Sequence, residues 1–373
     1  MKRKKVLQVS HSYAPPFLDV ANFYAKLFDP NEYEVTSLFL KGKPLNREDK
    51  QVIGDKIIFC DTPTKKMRGL KLGLVKELQE LIKKEEYEII IAQRYKAIYL
   101  IGMINLIYRQ NIKFIGVVHA YNVFKNYTRK LMIKLLKNKI TILGVSESIR
   151  NNILEQLSSI NFKKAFALPN CIPVRELREE QYSKKAAREK LGIAQEAFVF
   201  GSAGRLHPEK DYETLIRAFA KVHKNMPNAR LYIMGKGRLR DSLDKLISEL
   251  KLKDEVTLLG MIPEGPRYFK AFDIFVLPSM REPFGMVLIE AMAAGVPIIS
   301  SNSGGALEII PQKDLLFEIG NIDQCATLLT KSFETDSDSQ DKIIIENNEA
   351  LKEKYSVEAF KMNFWEIFSK SAQ

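Results

Sequence analysis

Short apolar runs alternate with helix-like segments along almost the whole chain. Such alternation predicts parallel sheets that are covered by helices on both faces. In the first half, the runs typical of buried strands are KVLQVS, EVTSLFL, EIIIAQ, KFIGVVH and ITILGVS. After a charged stretch at 175–190, a second series consists of FVFGSAGR, ARLYIMGKG, EVTLLGM, IFVLPS and PIISS. We therefore predict an α/β protein with two doubly wound, Rossmann-like domains facing each other across a cleft, where ligands bind beyond the strand ends.

The length of 373 residues also predicts two domains. We place the first domain at residues 1–172 and the second at 173–355, with the segment 170–173 as the link between them. The last segment, 356–373, is predicted to form a helix, because it has aromatic residues at near-helical spacing. These residues are Phe360, Phe364, Trp365 and Phe368.

Residues 277–310 form the most informative stretch, LPSMREPFGMVLIEAMAAGVPIISSNSGGALEII. The pattern predicts a strand, a sharp turn and a helix that starts near Phe284 and ends at Gly295. Free N–H groups at the start of that helix favour an anion or a sugar hydroxyl. Glu290 is the only charged residue of the helix, and Glu282 lies just before it. Glu290 is either a glutamate paired with a nearby lysine or an acceptor of hydrogen bonds from two vicinal hydroxyls of a ribose. In the second case, Glu282 would be placed to contact a second hydroxylated ring.

This stretch resembles the E-x7-E signature of glycosyltransferase family 4, whose members are retaining enzymes with the GT-B fold. The resemblance rests on EPFG, on EAMAAGVPII and on the following GG-x-x-E. It implies that Glu290 holds the ribose of a nucleotide sugar and that Glu282 holds the sugar. The backbone amides of Phe284, Gly285 and Met286 would contact the sugar and phosphate. No side chain is assigned as a nucleophile, and the final helix would pack back on the first domain.

Two cations follow the first strand of the second series, in SAGRLHPEKDYETLIRAF. Arg205 and Lys210 beside a helix start could hold a diphosphate and stabilise the charge that develops as it leaves. They match the GR-x3-K element of the family, although as isolated residues they would be ordinary surface cations. Gly235 marks a strand-to-loop turn where a backbone can approach a ligand closely. The GKGR run around it does not complete G-x-G-x-x-G, so no dinucleotide cofactor is inferred.

Three further residues are assigned largely by the resemblance. Met261 follows LLG in a segment whose backbone would contact the base of the nucleotide. His119 ends the run KFIGVV, and a lone histidine in this position is more often a packing residue than a catalyst. The family has a histidine on this loop that reaches the transferred sugar, so we group His119 with Glu282, Arg205 and Lys210 as the candidate catalytic residues. His11 is a weaker candidate of the same kind.

The first domain departs from the family at its first turn. Family members commonly have a Gly-Gly pair there, whereas this chain has HSYAPP at 11–16. Proline has no N–H to donate, so contacts that a glycine turn would make with an acceptor are not expected from Pro15 and Pro16.

Positive charge is concentrated in the first half of the chain. Residues 1–174 carry a net charge of +15 and residues 175–373 carry −2, which together give +13 at pH 7. In the segment 125–139, KNYTRKLMIKLLKNK, six cations surround a stripe of Leu131, Met132, Leu135 and Leu136. This segment is either an ordinary amphipathic helix with a solvated basic face or a surface that contacts anionic lipid.

Other classes of site are disfavoured by the sequence. Cys60, Cys171 and Cys325 lie far apart, which indicates a reducing, cytoplasmic setting without a zinc or disulfide framework. The apolar run after MKRKK is too short for a signal peptide, and no run reaches the roughly 20 residues of a spanning helix. The D-x-D of Asp336 and Asp338 lies in the acidic loop FETDSDSQDK, where a solvated loop is the better interpretation. No metal and no cofactor are expected.

We therefore predict a metal-independent retaining glycosyltransferase, cytoplasmic or peripheral at the inner face of the cell membrane. It would move a hexosyl or N-acetylhexosaminyl group from a nucleotide sugar, with UDP favoured, to a glycan or lipid-linked acceptor in surface polysaccharide or lipopolysaccharide synthesis. The alternatives are an epimerase or phosphorylase of the GT-B fold and, less favoured, a nucleic-acid-binding protein. The basic half has no nucleic-acid recognition motif, so no nucleic-acid partner is expected.

Overall fold

The chain divides into two compact units. In the computed structural model, residues 2–14, 17–44, 51–67, 69, 71–108 and 112–371 are described, so Pro15 and Pro16 of the HSYAPP turn lie outside the described residues. The first unit comprises residues 1–170 and 361–373, and the second comprises residues 171–360.

The first unit is built on a parallel sheet whose described strands run in the order β3-β2-β1-β4-β5-β6-β7. The chain winds outward from β1 to β3 and then in the opposite direction from β4 to β7. The winding direction therefore switches between β1 and β4, where open α/β sheets usually bind ligands. The elements are β1 Lys4–Ser10, α1 Phe17–Ala25, β2 Tyr33–Phe39, β3 Lys56–Phe59, α2 Leu72–Glu85, β4 Ile89–Gln93, α3 Arg94–Tyr108, β5 Lys113–Val118, α4 Tyr127–Leu136, β6 Ile140–Gly144, α5 Glu147–Gln156 and β7 Ala165–Ala167.

The second unit has a parallel sheet with the described strand order β10-β9-β8-β11-β12-β13. Its winding direction switches between β8 and β11. The elements are α6 Val174–Glu180, α7 Lys184–Leu191, β8 Phe198–Ala203, α8 Tyr212–Val222, β9 Ala229–Met234, α9 Arg240–Glu249, β10 Val256–Gly260, β11 Ile274–Leu277, α10 Met286–Ala293, β12 Ile298–Ser301, α11 Gly304–Ile309, β13 Leu316–Phe317, α12 Ile322–Glu334 and α13 Ser337–Ala350. Helix α14, Val357–Ser371, begins in this unit and continues into the first. Short 3-10 turns cover Ser158–Ile160, Pro208–Lys210, His223–Asn225, Gly265–Ala271 and Lys313–Leu315, and a π-helical turn covers Leu351–Tyr355.

Continuous apolar runs form the central strands of both sheets because both of their faces are covered. All residues of β4, β6 and β11 are buried, as those runs predict. The prediction of two Rossmann-like α/β domains is confirmed.

The end of α14 packs on the first unit through aromatic residues. Phe364 is buried, and its ring lies 5.9 Å from that of Phe28 in a T-shaped contact. The indole N–H of Trp365 donates to the carbonyl of Leu27 at 3.2 Å. Large rings of this kind bury much apolar area, so residues 361–371 belong structurally to the first unit.

Helix α4 differs from its predicted pattern. The predicted apolar stripe splits, because Met132 and Leu136 are buried whereas Leu131 and Leu135 are 41% and 59% exposed. Residues one position apart lie about 100° apart around a helix, so one stripe of four could not remain on a single face. Tyr127, one turn before Leu131, is 77% exposed. The outward face of α4 is thus apolar as well as basic.

No helix within the described ranges combines the length and the apolar character that crossing a bilayer requires.

Candidate functional site

Lys210 and Glu282 meet at the carboxyl edge of the second sheet. Lys210 follows β8 and Glu282 follows β11, the two strands that flank the switch point. The Lys210 ammonium forms an ion pair and a hydrogen bond with Glu282 Oε2. Glu282 is only 7% exposed. The fold therefore brings together two of the predicted site residues, which lie 72 positions apart in the sequence.

Three hydrogen bonds hold the loop that carries Glu282. Ser279 Oγ donates to Glu282 Oε2 at 3.4 Å, and the amide of Gly305 donates to the Glu282 carbonyl at 2.8 Å. Ser301 Oγ donates to the Ser279 carbonyl at 2.5 Å. All these hydroxyls are buried, so the loop has little freedom to move without breaking buried hydrogen bonds.

A short 3-10 turn, Pro208–Lys210, positions the lysine. His207 caps this turn, because its Nδ1 accepts from the amide of Glu209 at 3.4 Å. The carbonyl of Glu209 in turn accepts from the amide of Met280 at 2.9 Å. This backbone bond joins the lysine loop to the loop that carries Glu282, and so fixes the separation of the two charges.

Tyr212 is a member of the site that the sequence did not identify. It is buried, and a Cβ on Gly204 would lie 2.9 Å from its hydroxyl and 3.5 Å from Lys210 Cε. Burial raises the pKa of Tyr212, and the negative charge of Glu282 raises it further. The phenol therefore stays protonated beside the ion pair. The signal in the sequence that could have identified Tyr212 is its position directly after Lys210 and Asp211, at the start of α8.

Gly235 lies where two loops approach closely. Its φ is +148°, and a Cβ there would lie 1.8 Å from the carbonyl oxygen of Gly204. Its amide donates to the Gly260 carbonyl at 2.7 Å. The loops after β8, β9 and β10 lie side by side at one edge, and only glycine fits this position because they approach so closely. Met261, which follows Gly260, is 58% exposed at the same edge.

Helix α10 starts at Met286 after Gly285, whose φ is +111°. Gly295, with φ +69°, follows its last turn, in agreement with the predicted end of the helix. The side chain of Phe284 is buried and packs edge-on against Tyr355, with ring centroids 5.8 Å apart. It therefore acts in packing, and only its backbone is available to a ligand.

Two other predicted residues of this unit lie on the segments that follow β8 and β11. Glu290 is half-buried on α10, one turn after Met286. Arg205 is exposed directly after β8 and Gly204.

His119 and His11 belong to the first unit. His119 follows β5 and is half-buried, and burial together with the charge of Arg94 lowers its pKa to about 4. Burial and the charges of Lys96, Arg94 and Lys41 lower the pKa of His11 to about 4. Both rings are therefore neutral at pH 7.

Asp336 of the D-x-D pair caps α13. Its Oδ1 accepts from the amide of Ser339 at 2.9 Å, and that hydrogen bond is the main cause of its lowered pKa. Over the described residues, no cluster of three or more His, Cys, Asp or Glu residues could hold a metal ion.

Over the described residues, the two Rossmann-like units have parallel sheets of seven and six strands, and this architecture matches that of solved GT-B structures. A solved glycosyltransferase from Rickettsia africae superimposes with a TM-score of 0.82 over 100% of both chains, at 18% sequence identity. Residues 183–350, which form most of the second unit, match the family model for glycosyl transferases group 1.

Curated relatives resemble parts of the chain. The N-acetylgalactosamine-N,N'-diacetylbacillosaminyl-diphospho-undecaprenol 4-alpha-N-acetylgalactosaminyltransferase of Campylobacter jejuni is 30% identical over 209 residues, covering 55% of this chain and 54% of that protein. The UDP-Gal:alpha-D-GlcNAc-diphosphoundecaprenol alpha-1,3-galactosyltransferase of Escherichia coli is 26% identical over 281 residues, covering 70% and 71%. The chain spans from about a third to about half of the length of the first curated relatives it matches.

Proposed function

We propose that this protein is a retaining, metal-independent glycosyltransferase of family 4 that transfers a hexosyl or N-acetylhexosaminyl group from a nucleotide sugar to a hydroxyl of a lipid-linked or glycan acceptor. The observation that carries the proposal is the Lys210–Glu282 pair at the switch point of the second sheet. A cation can stabilise the charge of a leaving diphosphate, and a carboxylate can accept hydrogen bonds from sugar hydroxyls.

The residues have distinct proposed roles. Lys210 and Arg205 neutralise the diphosphate, so a divalent cation is not needed. Glu282 accepts from a sugar hydroxyl, and Glu290 accepts from the ribose. The amides at the start of α10 face the sugar and phosphate, and the neutral His119 is the candidate contact to the transferred sugar.

The relatives guide the choice of substrates. Both named transferases act on acceptors linked to diphospho-undecaprenol, and the name of one specifies UDP-Gal as donor. A UDP-sugar donor and a lipid-linked acceptor in surface polysaccharide or lipopolysaccharide synthesis are therefore our first choices. This role would place the protein in the cytoplasm or at the inner face of the cell membrane.

A nucleotide-release assay tests the proposed function. The protein is incubated with UDP-, GDP- and ADP-sugars, with and without a prenyl-diphosphate-linked sugar acceptor. We expect release of one nucleotide that depends on the acceptor, and a product with the anomeric configuration of the donor. Isomerised donor without release would indicate an epimerase, and release that depends on inorganic phosphate would indicate a phosphorylase. Either result would overturn the proposal.

Replacing Glu290 by alanine is expected to weaken UDP binding by about tenfold or more, because hydrogen bonds to a charged group contribute about 1.5–3 kcal/mol. Calorimetric titration with UDP and with 2′,3′-dideoxy-UDP measures the effect. Wild type should prefer UDP, whereas Glu290→Ala should bind the two alike. The control is Glu249→Ala, which removes an exposed carboxylate paired with Lys245. A variant that retains the preference for UDP would remove Glu290 from the ribose site.

The outward face of α4 is the proposed contact with anionic lipid headgroups. Tyr127, Leu131 and Leu135 are exposed at four-residue spacing on one side of the helix. Nearby cations complement an anionic membrane surface, where each contributes about 1 kcal/mol. These cations are Lys125, Lys130, Lys134, Lys137 and Lys139.

The double variant Leu131→Glu/Leu135→Glu is expected to bind phosphatidylglycerol vesicles at least about tenfold more weakly than wild type, because it loses apolar burial and adds repulsion. Vesicle co-sedimentation measures the binding. Ile319→Glu/Ile345→Glu, two exposed isoleucines of the second unit, makes the same change in charge and should bind normally. Equal binding to neutral and anionic vesicles by wild type would refute the proposed contact.

A further inference from the structure

Tyr355 occupies an unusual turn of the second unit. Helix α13 runs directly into the π-helical turn Leu351–Tyr355, of which Tyr355 is the last residue. A π-helical turn holds one residue more than an α-helical turn, and such turns are rare and frequently lie at functional sites. One extra residue rotates the positions that follow by about 100° around the helix axis. The turn therefore determines the direction in which the Tyr355 side chain points.

The ring of Tyr355 supports the loop that carries Glu282. It packs edge-on against the ring of Phe284, two residues after Glu282, with ring centroids 5.8 Å apart. Both rings are buried, and Tyr355 is only 3% exposed. Edge-to-face aromatic pairs stabilise a protein beyond the effect of the apolar area that they bury. A smaller side chain at position 355 would leave a cavity directly behind the loop.

The hydroxyl of Tyr355 holds the same loop through helix α11. It donates to the carbonyl of Glu308, in the last turn of α11, at 3.1 Å. The last carbonyls of a helix have no partner within the helix, so the phenol acts as a cap. At the start of α11, the amide of Gly305 donates to the carbonyl of Glu282 at 2.8 Å. One side chain thus contacts both segments that hold Glu282.

Tyr355 is itself fixed at its backbone. Its carbonyl accepts from the amide of Ile172 at 3.0 Å, and Ile172 also forms a parallel bridge with Ser356. Burial raises the pKa of Tyr355, and the charge of Glu308 raises it further, so the hydroxyl remains a donor at neutral pH. The ring and the hydroxyl therefore contact the segments around Glu282 from an anchored position.

We propose that Tyr355 is a positioning residue, which places Glu282 for its contact with the sugar of the donor by holding Phe284 and α11. The inference rests on the proposed function, because it concerns the sugar contact assigned to Glu282. Tyr355 is buried and acts only through its neighbours. A displacement of about 1 Å can cost about a hundredfold in rate, so the support decides whether the carboxylate reaches its hydroxyl. Ordinary core packing instead predicts a general loss of stability without a selective effect on the sugar.

Calorimetric titration of the full chain with UDP and with UDP-galactose tests the effect on the sugar. Tyr355→Leu removes the ring and the hydroxyl, and its affinity for UDP-galactose should fall at least about tenfold, because hydrogen bonds to a charged group are lost. Its affinity for UDP, which lacks the transferred sugar, should stay within about threefold. Tyr355→Phe keeps the ring, so its affinity for UDP-galactose should lie between those of wild type and Tyr355→Leu.

Phe333→Leu is the matched control, because it removes a ring from an aromatic pair of the same unit away from the site. Phe333 lies on α12 and packs against Phe198, with ring centroids 4.9 Å apart. Phe198 is the first residue of β8, at the amino edge of the sheet, whereas Lys210 and Glu282 follow strands at the carboxyl edge. The control should change neither affinity by more than about twofold.

Hydrogen exchange followed by mass spectrometry, without any ligand, measures the support itself. Exchange rates report local opening, so in Tyr355→Leu the peptides that cover residues 279–286 and 304–309 should exchange at least about tenfold faster. Strand β9, in the same unit, should exchange at its wild-type rate. Phe333→Leu should leave both peptides unchanged.

Unchanged exchange of residues 279–286 and 304–309 in Tyr355→Leu would overturn the proposal. An equal rise in β9 would also overturn it, because Tyr355 would then be an ordinary core residue, and so would an equal loss of affinity for UDP and UDP-galactose. If Tyr355→Leu does not fold, as judged by circular dichroism, Tyr355→Phe decides through the exchange of residues 304–309. If wild type consumes no nucleotide sugar with any acceptor while Tyr355→Leu loosens both peptides, the proposed function fails and the support of the loop stands.

Discussion

Replacing Lys210 by methionine is expected to lower the rate of sugar transfer by about a hundredfold or more. Methionine preserves most of the aliphatic volume but removes the cation that would stabilise the departing diphosphate, a type of contact whose loss commonly costs 10² to 10³ in rate, as a rough range. It also leaves Glu282, which is 7% exposed, without its paired ammonium. An unpaired carboxylate beside the leaving phosphate would add repulsion. Initial rates of nucleotide release under saturating donor measure the effect.

The matched control for this prediction is Lys221→Met on α8 of the same unit. Lys221 is exposed and pairs with Asp323 on the surface, away from the β8–β11 edge. Its loss should leave the rate within about twofold, because surface ion pairs contribute little. Lys210→Arg should recover part of the rate, since the charge returns. A Lys210→Met enzyme that folds and retains full activity would contradict the assignment of the donor site.

Replacing Arg188 by methionine is expected to reduce the free energy of unfolding of the second unit by about 3 kcal/mol, at the lower end of the range for breaking a buried ion pair. Arg188 is 1% exposed and donates to Asp273 Oδ2 at 2.8 Å and to the carbonyl of Ala271 at 3.0 Å. Asp273 also accepts from the amide of Val199 at the start of β8, at 2.6 Å. Lys184 still pairs with the other oxygen of Asp273, which moderates the loss.

Urea titration with two probes tests this prediction. Trp365 is the single tryptophan and belongs to the first unit, whereas far-UV circular dichroism reports on both units. Arg188→Met should shift the circular-dichroism transition to lower urea more than it shifts the tryptophan transition. The control Arg217→Met, in an exposed i,i+4 pair with Glu213, should change the stability by less than about 0.5 kcal/mol. An unshifted circular-dichroism transition would show that the buried pair does not stabilise the unit.

The fold could be predicted because the central strands are long, apolar and buried on both faces. The strands that the sequence did not reveal are short: β3 has four residues that are exposed or half-buried, β7 has three and β13 has two. Their own residues contain little periodic signal, and they form because a neighbouring strand offers its hydrogen bonds. In the same way, the spacing in α4 predicted an amphipathic helix but not which leucines face inward.

The sequence indicated Glu282 and Lys210 as individual candidates, but it did not predict their contact. The positions of Glu282 and Lys210 after apolar runs indicated a sheet edge, yet their contact depends on β8 and β11 being neighbours, which spacing along the chain does not reveal. Tyr212 was missed because a tyrosine at a helix start is ordinary. The effect of Arg94 on His11 could not be predicted either, because it depends on the pairing of β1 with β4.

The ion pair between Lys210 and Glu282 also has a consequence for ligand selectivity. The two groups act as each other's counter-ion, so the pair itself carries little net charge. A bare phosphate ion would have to separate them while giving the carboxylate nothing in return. A sugar diphosphate brings an anion for the ammonium and a hydroxyl for the carboxylate at once. In the donor site that we propose, cellular phosphate should therefore be a poor competitor, and the protein would bind the intact activated sugar in preference to its fragments.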